Sequence, residues 1–444
     1  MASYREIGKR AWPLILANSA VPLLGLADTA IIGNFGAVTD LGAIAFGALI
    51  FSFVYWSFGF LRMGTTGFTA QAAGAENHVE VRAVLGRALI LALGLSLLLL
   101  ILRWPIAWMA FQLLDGSQSV EEVARQYFQI RIWGAPATLC TFALVGLLIG
   151  LGNSGQLLRL QLFLNGLNIA LDFLFAGVLE MGASGIALGT VIAEWLTLFY
   201  GGFIVKRQLA KAVINDEPFW STAEVLDRNK ILKMLSANLD IMVRTLILVF
   251  SFALFTNHSA RFGDVTLAAN HLLLQLISFS AFFLDGYAFV VEAMAGKAMG
   301  ARDQLAFRQS VLRTSLLALL TALALAGLIY ATGALALSLL TDIEAVLAVA
   351  NNYKAYAALY VLVSFAAFQL DGIFIGVSHT REMRQAAIYS LLVFLVAIWV
   401  MAGSMGLAGL WWAMIVYVIA RAVTLLFYYP RILRTISAAS SANQ

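Results

Sequence analysis

The chain has 444 residues, of which 61% are hydrophobic and only 12% are charged, and its mean hydropathy is +0.88. A soluble domain carries about 25% charged residues, so this composition indicates a membrane protein. One cysteine (Cys140) and four scattered histidines exclude an internal disulfide and the usual zinc and haem spacings. The sequence also lacks a P-loop and a dinucleotide-binding glycine pattern, and its net charge of +4 is dispersed. We therefore expect no cofactor and no nucleic-acid partner.

Apolar runs recur along the whole chain, and each is close to the length of a helix that crosses a bilayer, which is about 20 residues. This criterion predicts about twelve spans, and hence an all-α polytopic membrane protein. The predicted spans are roughly residues 10–34, 41–63, 86–107, 127–151, 158–179, 183–205, 234–256, 264–294, 312–338, 350–377, 385–404 and 407–429.

Lysine and arginine are unevenly distributed between the predicted loops. If the N-terminus is cytoplasmic, most basic residues fall in inside segments, and the outside segments carry only Arg103, Arg125 and Arg261. The positive-inside rule therefore places both termini in the cytoplasm. The first residues lack a cleavable signal pattern, which predicts that the first apolar run is retained.

The longest polar segment, residues 206–233, lies at the midpoint of the chain. Its STAE sequence (221–224) is a capping-box pattern, which predicts a short interfacial helix. We interpret residues 206–233 as a cytoplasmic linker between a first lobe at 1–205 and a second lobe at 234–444.

The two halves resemble each other at one constant offset. The matching pairs are Leu41/Leu267, Ala43/Ala269, Ser52/Ser278, Phe53/Phe279, Gly74/Gly300 and Ala75/Ala301, with GLLIG (146–150) aligned to GIFIG (372–376). Small residues recur by chance in many membrane helices, but a register kept over so long a stretch favours an internal repeat. Six spans per half make the repeat parallel, and two pseudo-symmetric six-helix lobes facing each other across a cavity are expected. The glycine pairs within GLLIG and GIFIG are expected to let helices approach closely.

One helical face in the first half is unusually polar. Asn165, Asn168 and Asp172 are spaced i, i+3, i+7 within an apolar run, so they share that face. From the rise per residue, Asp172 and Thr190 lie about 12 Å below the outer surface and Asp28 about 8–9 Å below it. Asp28, Asn168, Asp172 and Thr190 are therefore expected at similar depth.

These four residues supply oxygen ligands and proton acceptors. Two carboxylates held close together cannot both stay ionised cheaply, so the group is expected to take up a proton or to recruit Na⁺. The alternative is that Asn168 and Asp172 only hold helices together, and such contacts contribute about 0.6 kcal/mol on average in membranes. A charge at the bilayer centre costs at least about 2.5 kcal/mol, which favours ion binding.

Helix one contains Pro13 and Pro22, and both precede Asp28. Proline removes a backbone hydrogen bond and clashes one turn back, so each is a candidate hinge. Protonation of Asp28 could then bias the helix between straight and bent forms. A static kink without switching explains the same sequence.

The second half does not repeat this polar set. Asp285 and Asp371 are candidates to line the cavity and attract a cationic substrate. Aromatic rings at four positions could contact such a cation: Trp56, Phe282, Phe283 and Tyr287.

Other charged residues in the predicted spans have simpler interpretations. Asp240 and Arg244 are spaced i, i+4 and are expected to form a structural ion pair. Glu292 lies near the cytoplasmic end of its span, where solvation is expected. For Arg62 and Glu194, and for Asn165 on the polar face, both cavity lining and a structural role remain open.

Four stretches together resemble the multidrug and toxic compound extrusion (MATE) family, in particular its DNA-damage-inducible branch. They are LADTAIIGNFG (26–36), GLGNSG (150–155), the Asn168–Asp172 spacing and GASGIALGTVIAEW (182–195). The resemblance covers nearly the whole chain, and it rests on the joint spacing rather than on one strict motif.

The resemblance implies a V-shaped pair of six-helix lobes in a bacterial inner membrane. It also implies a monomer that exports lipophilic or cationic organic compounds by alternating access in exchange for H⁺ or Na⁺. Asp28, Asn168, Asp172 and Thr190 match the family's first-lobe cation site, and bending about Pro13 is a family proposal. The family's other main branch uses an acidic residue on helix ten, the helix that carries Asp371, so the coupling lobe stays open.

Two other functions were considered. A lipid-linked saccharide flippase of the wider superfamily would carry a strongly basic cavity, whereas the charged set in these spans is more acidic than basic. A membrane-embedded enzyme or channel is disfavoured by the two-lobe repeat. A transporter of small organic substrates, with membrane lipid as its surroundings, is the expected function.

Overall fold

A computed structural model of the chain describes residues 3–113, 117–210 and 219–441; the side chains of residues 21–23, 26, 113 and 438–441 lie outside this description. The described residues form helices and short connections. In the first half the helices are α1 (Tyr4–Phe35), α2 (Val38–Ser57), α3 (Phe60–Gly74), α4 (His78–Ile101), α5 (Arg103–Leu113), α6 (Gln118–Arg131), α7 (Ala135–Gly150), α8 (Ser154–Asp172) and α9 (Gly182–Ala210). A 3₁₀ turn (Ile132–Gly134) joins α6 to α7, and a π-helix (Phe173–Val178) continues α8.

The second half follows the short helix α10 (Thr222–Val225). Its long helices are α11 (Arg228–Ala260), α12 (Asp264–Gly300), α13 (Gln304–Ser338), α14 (Glu344–Gly376), α15 (Thr380–Ala397) and α16 (Gly403–Ser441). A second π-helix (Ile398–Ala402) joins α15 to α16.

The number of membrane spans agrees with the sequence-based prediction. Ten helical stretches of the described residues are long and apolar enough to cross a membrane. The last of these, Thr380–Ser437, is 58 residues long and contains Gly406 in a non-helical conformation, so it is two spans. With α1, which has 32 residues, the total reaches twelve. The predicted all-α polytopic class is confirmed.

Backbone breaks recur at the same offset as the sequence repeat. Six residues with positive φ form three pairs, each 226 positions apart, and each pair lies where corresponding helices end: Glu76 and Arg302, Gly152 and Ser378, Glu180 and Gly406. The two π-helices are also in matching places. Because the positions of positive φ come from the backbone rather than from apolar composition, they support the internal repeat independently.

The predicted close approach of helices at the repeated glycines is confirmed. A Cβ at Gly146 would overlap the main-chain carbonyl of Arg62, and one at Gly372 would overlap that of Ala288. A Cβ at Gly376 would likewise overlap the main-chain carbonyl of Glu292. In both halves, therefore, the absence of a side chain sets the separation between two helices, α3 and α7 in the first half and α12 and α14 in the second.

The segment before α11 is anchored on α4. Ser221 caps α10 by accepting a hydrogen bond from the Glu224 amide at 3.4 Å, which agrees with the predicted short helix. The Arg87 side chain donates to the Glu224 carbonyl at 2.6 Å. Gly86 leaves room for the side chains of Trp220 and Val225.

Packing divides the chain into two compact units. The first-half unit comprises Leu16–Ala72 and Asn77–Lys233, and the second-half unit comprises Met1–Ile15, Ala73–Glu76 and Met234–Gln444. The division crosses α1 after Ile15, two residues beyond Pro13. The linker residues that are described pack with the first-half unit; the lobe boundaries at 205 and 233 stay predictions.

Candidate functional site

Asn168, Asp172 and Thr190 lie in mutual contact where α8 packs against α9. Asn168 and Asp172 are fully buried, and Thr190 is 8% exposed. The Asn168 amide donates to Asp172 Oδ2 at 2.7 Å and to Thr190 Oγ1 at 3.3 Å. The Thr190 hydroxyl donates to the Ile186 carbonyl at 2.8 Å. The amide of Asn168 thus links the carboxylate to the neighbouring helix.

The second carboxyl group of this site comes from α1. The side chains of Asp28 and Asp172 lie within hydrogen-bonding range of each other. Two carboxylates can keep such a contact only when a proton or a cation lies between them. The structure therefore brings together the four residues that the sequence placed at similar depth.

Three oxygen atoms at this site are buried and accept no hydrogen bond from the described residues: Asp28 Oδ1, Asp172 Oδ1 and Asn168 Oδ1. Buried oxygens without donors are uncommon and call for an explanation. Carboxylate and amide oxygens are ligands that hard cations prefer, and a carboxylate can equally take a proton. Among the described residues, no group of three or more His, Cys, Asp and Glu side chains is arranged to hold a metal ion.

Local backbone features hold Asp172 in place. The π-helix begins at the residue after Asp172, and π-helical turns are frequent at functional sites. On α9, a Cβ at Gly189 would collide with Asp172 Oδ1, so only glycine leaves room for the carboxylate there. Gly185, one turn earlier, lies against the main chain of Phe175 in the π-helix.

A buried ion pair lies in the same unit. Arg131, the last residue of α6, donates to Glu194 on α9 through two parallel hydrogen bonds of 2.8 and 2.7 Å. The guanidinium also lies 5.2 Å from the ring centre of Phe51 and 5.6 Å from that of Tyr55. Gly134 makes room for the pair, because a Cβ there would overlap Glu194 Oε2.

This pair gives Glu194 a partner that the sequence did not indicate. Arg131 is not among the candidates from the sequence, although its charge inside the predicted span 127–151 is a signal that points to it. The ionisable groups near this site are three carboxyls (Asp28, Asp172 and Glu194) and the guanidinium of Arg131. If all were ionised, their formal charge would be −2.

The other first-half candidates are more scattered. Asn165 on α8 is 8% exposed, and its Nδ2 is buried with no acceptor among the described residues. Trp56, a predicted cavity residue, is 67% exposed at the end of α2. Pro13 and Pro22 both lie within α1, which is continuous from Tyr4 to Phe35; the side chain of Pro22 is outside the described residues.

In the second-half unit, Asp371 is held by two arginines. Arg421 on α16 donates to Asp371 Oδ2 at 2.6 Å, and Arg244 on α11 donates to the same oxygen. All three residues are buried, with 8–9% of their surface exposed. A carboxylate already neutralised by two guanidinium groups is poorly suited to attract a cation. Arg421, a charged residue inside the predicted span 407–429, is likewise absent from the candidates.

The expected ion pair between Asp240 and Arg244 is wrong. Asp240 binds Arg384 on α15 at 2.7 Å and accepts from the Thr380 hydroxyl at 3.1 Å, while Arg244 turns to Asp371. Both residues are buried, so contacts with neighbouring helices outweigh the weak i, i+4 interaction on one helix surface. Glu292, expected to be solvated, is only 1% exposed.

The remaining candidates lie together on α12. All four are partly buried: Phe282, Phe283, Asp285 and Tyr287. Phe283 packs edge-on against Phe279 with ring centres 5.4 Å apart.

Comparison with known proteins identifies the family. The family model MatE matches residues 13–174 and 241–402, one match in each half of the chain. The chain is 36% identical over 438 residues to the DNA damage-inducible protein F of Escherichia coli (strain K12), covering 97% of this chain and 93% of that protein. It is 24% identical over 419 residues to the probable multidrug resistance protein NorM of Acinetobacter baylyi, covering 91% and 90%.

Solved structures show the same fold at lower sequence identity. The Vibrio cholerae MATE transporter VcmN, solved in the bent form, matches with a TM-score of 0.84 and 19% identity over 98% of each chain. A MOP superfamily transporter from Pyrococcus furiosus matches with a TM-score of 0.86 and 19% identity, covering 96% of this chain and 95% of that one. The predicted MATE-type fold of twelve helices in two lobes is confirmed.

Proposed function

We propose, from the premise that this chain belongs to the MatE family, that it is a secondary active exporter of lipophilic or cationic organic compounds coupled to H⁺ or Na⁺. As a member of this family the chain is a multi-pass membrane transporter rather than an enzyme. The direction of transport, the coupling ion and alternating access are parts of the proposal. So are a bacterial inner membrane, cytoplasmic termini and a monomeric state.

The contact between Asp28 and Asp172 is the observation that carries this proposal. Two carboxyl groups on different helices need a shared proton or cation to stay together, so the bound ion joins α1 to α8. When the ion leaves, two negative charges repel each other and the contact is lost. The site thus has two arrangements that differ by one unit of charge, which is the requirement for coupling an ion gradient to a conformational change.

The path of α1 offers a way to transmit this change. Residues before Leu16 pack with the second-half unit, whereas Asp28 belongs to the first-half unit. Loss of the Asp28–Asp172 contact would release the second part of the helix while the first part stays packed. Pro13 lies two residues before this division, which supports it as the hinge.

The alternative, a lipid-linked saccharide flippase, is less well supported. Such a transporter would need a basic surface for phosphate groups, whereas the groups around the Asp28–Asp172 contact are acidic in excess.

The test is substrate-dependent ion flux in proteoliposomes that contain the wild-type chain, Asp172→Asn or Asp28→Asn. We expect either substitution to abolish ion-coupled export while the protein stays folded, because the neutral amide cannot gain and lose a charge. Asp342→Asn, an exposed residue between α13 and α14, is the matched control and should transport normally. Replacing Na⁺ by choline at fixed pH separates the two ions.

Normal coupled export by both Asp28→Asn and Asp172→Asn would contradict the assignment of coupling to this site. If coupling survives in them and is lost in Asp371→Asn, the second-half unit carries it instead.

A further inference from the structure

The second-half unit contains a buried cluster with an excess of positive charge. Arg244 and Arg421 converge on one oxygen of Asp371, so two guanidinium groups share one carboxylate and the formal charge is +1. Uncompensated charge is costly inside a membrane protein, and arginine in a membrane span usually has a partner or faces a water-filled cavity. One further negative charge would complete the neutralisation.

Both arginines retain donors that make no hydrogen bond to the described residues. Each guanidinium contributes one nitrogen to Asp371, and within the described residues no other side-chain nitrogen of either arginine donates a hydrogen bond. The side chains of both arginines are 10% exposed, so part of each stays accessible. A guanidinium presents its N–H groups in a planar fork that matches the oxygens of a carboxylate, sulfonate or phosphate.

Aromatic and apolar side chains surround the cluster. The guanidinium of Arg421 lies 5.9 Å from the ring centre of Tyr417, and this ring packs on Phe394 at 5.0 Å. Tyr360 lies eleven residues before Asp371 and therefore on the same face of α14. Both tyrosines are buried, at 1% and 3% exposure. Cationic donors set among rings suit a ligand with an anionic group on an apolar body.

We infer that Arg244 and Arg421 form a binding site for the anionic head group of an amphiphilic organic molecule, and that Asp371 occupies one donor of each arginine and competes with this ligand. The site has the opposite polarity to the Asp28–Asp172 site and extends the substrate range of the proposed exporter to organic anions or zwitterions. It rests on the proposed function only in treating the ligand as a substrate; binding itself needs no ion gradient.

The experiment measures binding of 1-naphthoate to the detergent-purified full chain by isothermal titration calorimetry, with 1-naphthylmethylammonium as the cation of similar shape. Arg421→Gln is the main variant, because it leaves Asp371 paired with Arg244 and no carboxylate is left alone. We expect Arg421→Gln and Arg244→Gln to weaken naphthoate binding at least tenfold. Arg421→Lys keeps the charge but not the fork and should lose less.

Asp371→Asn distinguishes a binding site from a purely structural triad. Removal of the competing carboxylate should strengthen naphthoate binding severalfold, or at least leave it undiminished. If Asp371→Asn loses binding together with the arginine variants, if the arginine variants bind as the wild type does, or if the wild type binds no naphthoate, the inference is overturned. Gel filtration and slow maleimide labelling of buried Cys140 establish that each variant is folded.

Two further measurements separate the anion site from the ion site, and a lipid ligand from a small organic anion. Asp172→Asn should bind naphthoate like the wild type, so failure of the proposed ion coupling and failure of the anion site are independent outcomes. Phosphatidylglycerol added to the titration tests the lipid source. Displacement of naphthoate would support the anion site with a lipid head group as its ligand, and the absence of displacement would support a small organic anion.

Discussion

Arg131 and Glu194 face each other so that the two terminal guanidinium nitrogens each donate to one carboxylate oxygen, at 2.8 and 2.7 Å. Each side chain is 10% exposed. The pair joins the end of α6 to the middle of α9, the helix that also carries Thr190. It thereby fixes one wall of the first-half unit close to the Asp28–Asp172 site. A bidentate pair in such a place is expected to matter more for the fold than an ion pair at the surface.

Arg131→Met should destabilise the protein by about 3–5 kcal/mol, because it leaves the Glu194 carboxylate buried without a partner. Arg125→Met on the same helix is the matched control: Arg125 forms an exposed i, i+4 pair with Glu121 and should contribute at most about 1 kcal/mol. The unfolding temperature can be followed by dye labelling of Cys140, the one cysteine of the chain. Equal unfolding temperatures for the two variants would show that the buried pair contributes no more to stability than the exposed pair.

Gly189→Ala should impair ion coupling without unfolding the protein. The new methyl group would occupy the position of Asp172 Oδ1 and push the carboxylate away from Asp28 and Asn168. We expect at least a tenfold loss of apparent affinity for the coupling ion, measured from the pH or Na⁺ dependence of export. Gly202→Ala lies on the same helix with open space around it, so unchanged export is expected there. An unaltered ion dependence in Gly189→Ala would argue against Asp172 as the ion ligand.

Gly376→Ala should destabilise the second-half unit. Its Cβ would overlap the carbonyl of Glu292, and relief requires α12 and α14 to move apart, at a cost of about 1–3 kcal/mol. Gly327→Ala, on α13 in open space, should instead stabilise its helix by about 0.5–1 kcal/mol. The measurement is the fraction of protein that remains monodisperse after heating in detergent. We expect Gly376→Ala to lower this fraction and Gly327→Ala to raise it. A change in the same direction for both variants would contradict the close packing.

Two substitutions at one repeated backbone break should change the stability of the protein in opposite directions. Glu180 is exposed and has φ of +52°, so Glu180→Gly should relieve strain of about 1–2 kcal/mol. Gly406, at the matching place 226 positions later, has φ of +61° and ψ of −134°, and Gly406→Ala should cost about 1–3 kcal/mol. Thermal unfolding of both variants in one detergent is the check. If Glu180→Gly is less stable than the wild type, the strain argument fails.

Much of this molecule could be predicted from its sequence, because membrane burial leaves a strong pattern. Span positions follow from apolar length, and the repeat follows from matches at one offset. The contact of Asn168 with Asp172 follows from i, i+4 geometry, and depth along the helices was enough to bring Thr190 and Asp28 to the same level. These inferences use only distances along a helix, which the chain itself defines.

What could not be predicted depends on which helices face each other. Asp240 and Arg244 satisfy the local rule for an ion pair, yet Arg384 and Asp371 on other helices bind them instead. Asp371 looked like a lone acid because its two arginines lie about 50 and 130 positions away in sequence. Nothing in helical periodicity encodes that convergence.

The repeated backbone breaks have a consequence for how the protein can change. The points at which helices stop are the same in both halves, but the ionisable groups between them differ in position and in sign. Helix ends are set by main-chain conformation, so side chains in the interior of one half can be exchanged without shifting where its helices turn. Each half can in this sense change its interior side chains independently, so one half can gain a new binding site while the proposed ion site of the other stays intact.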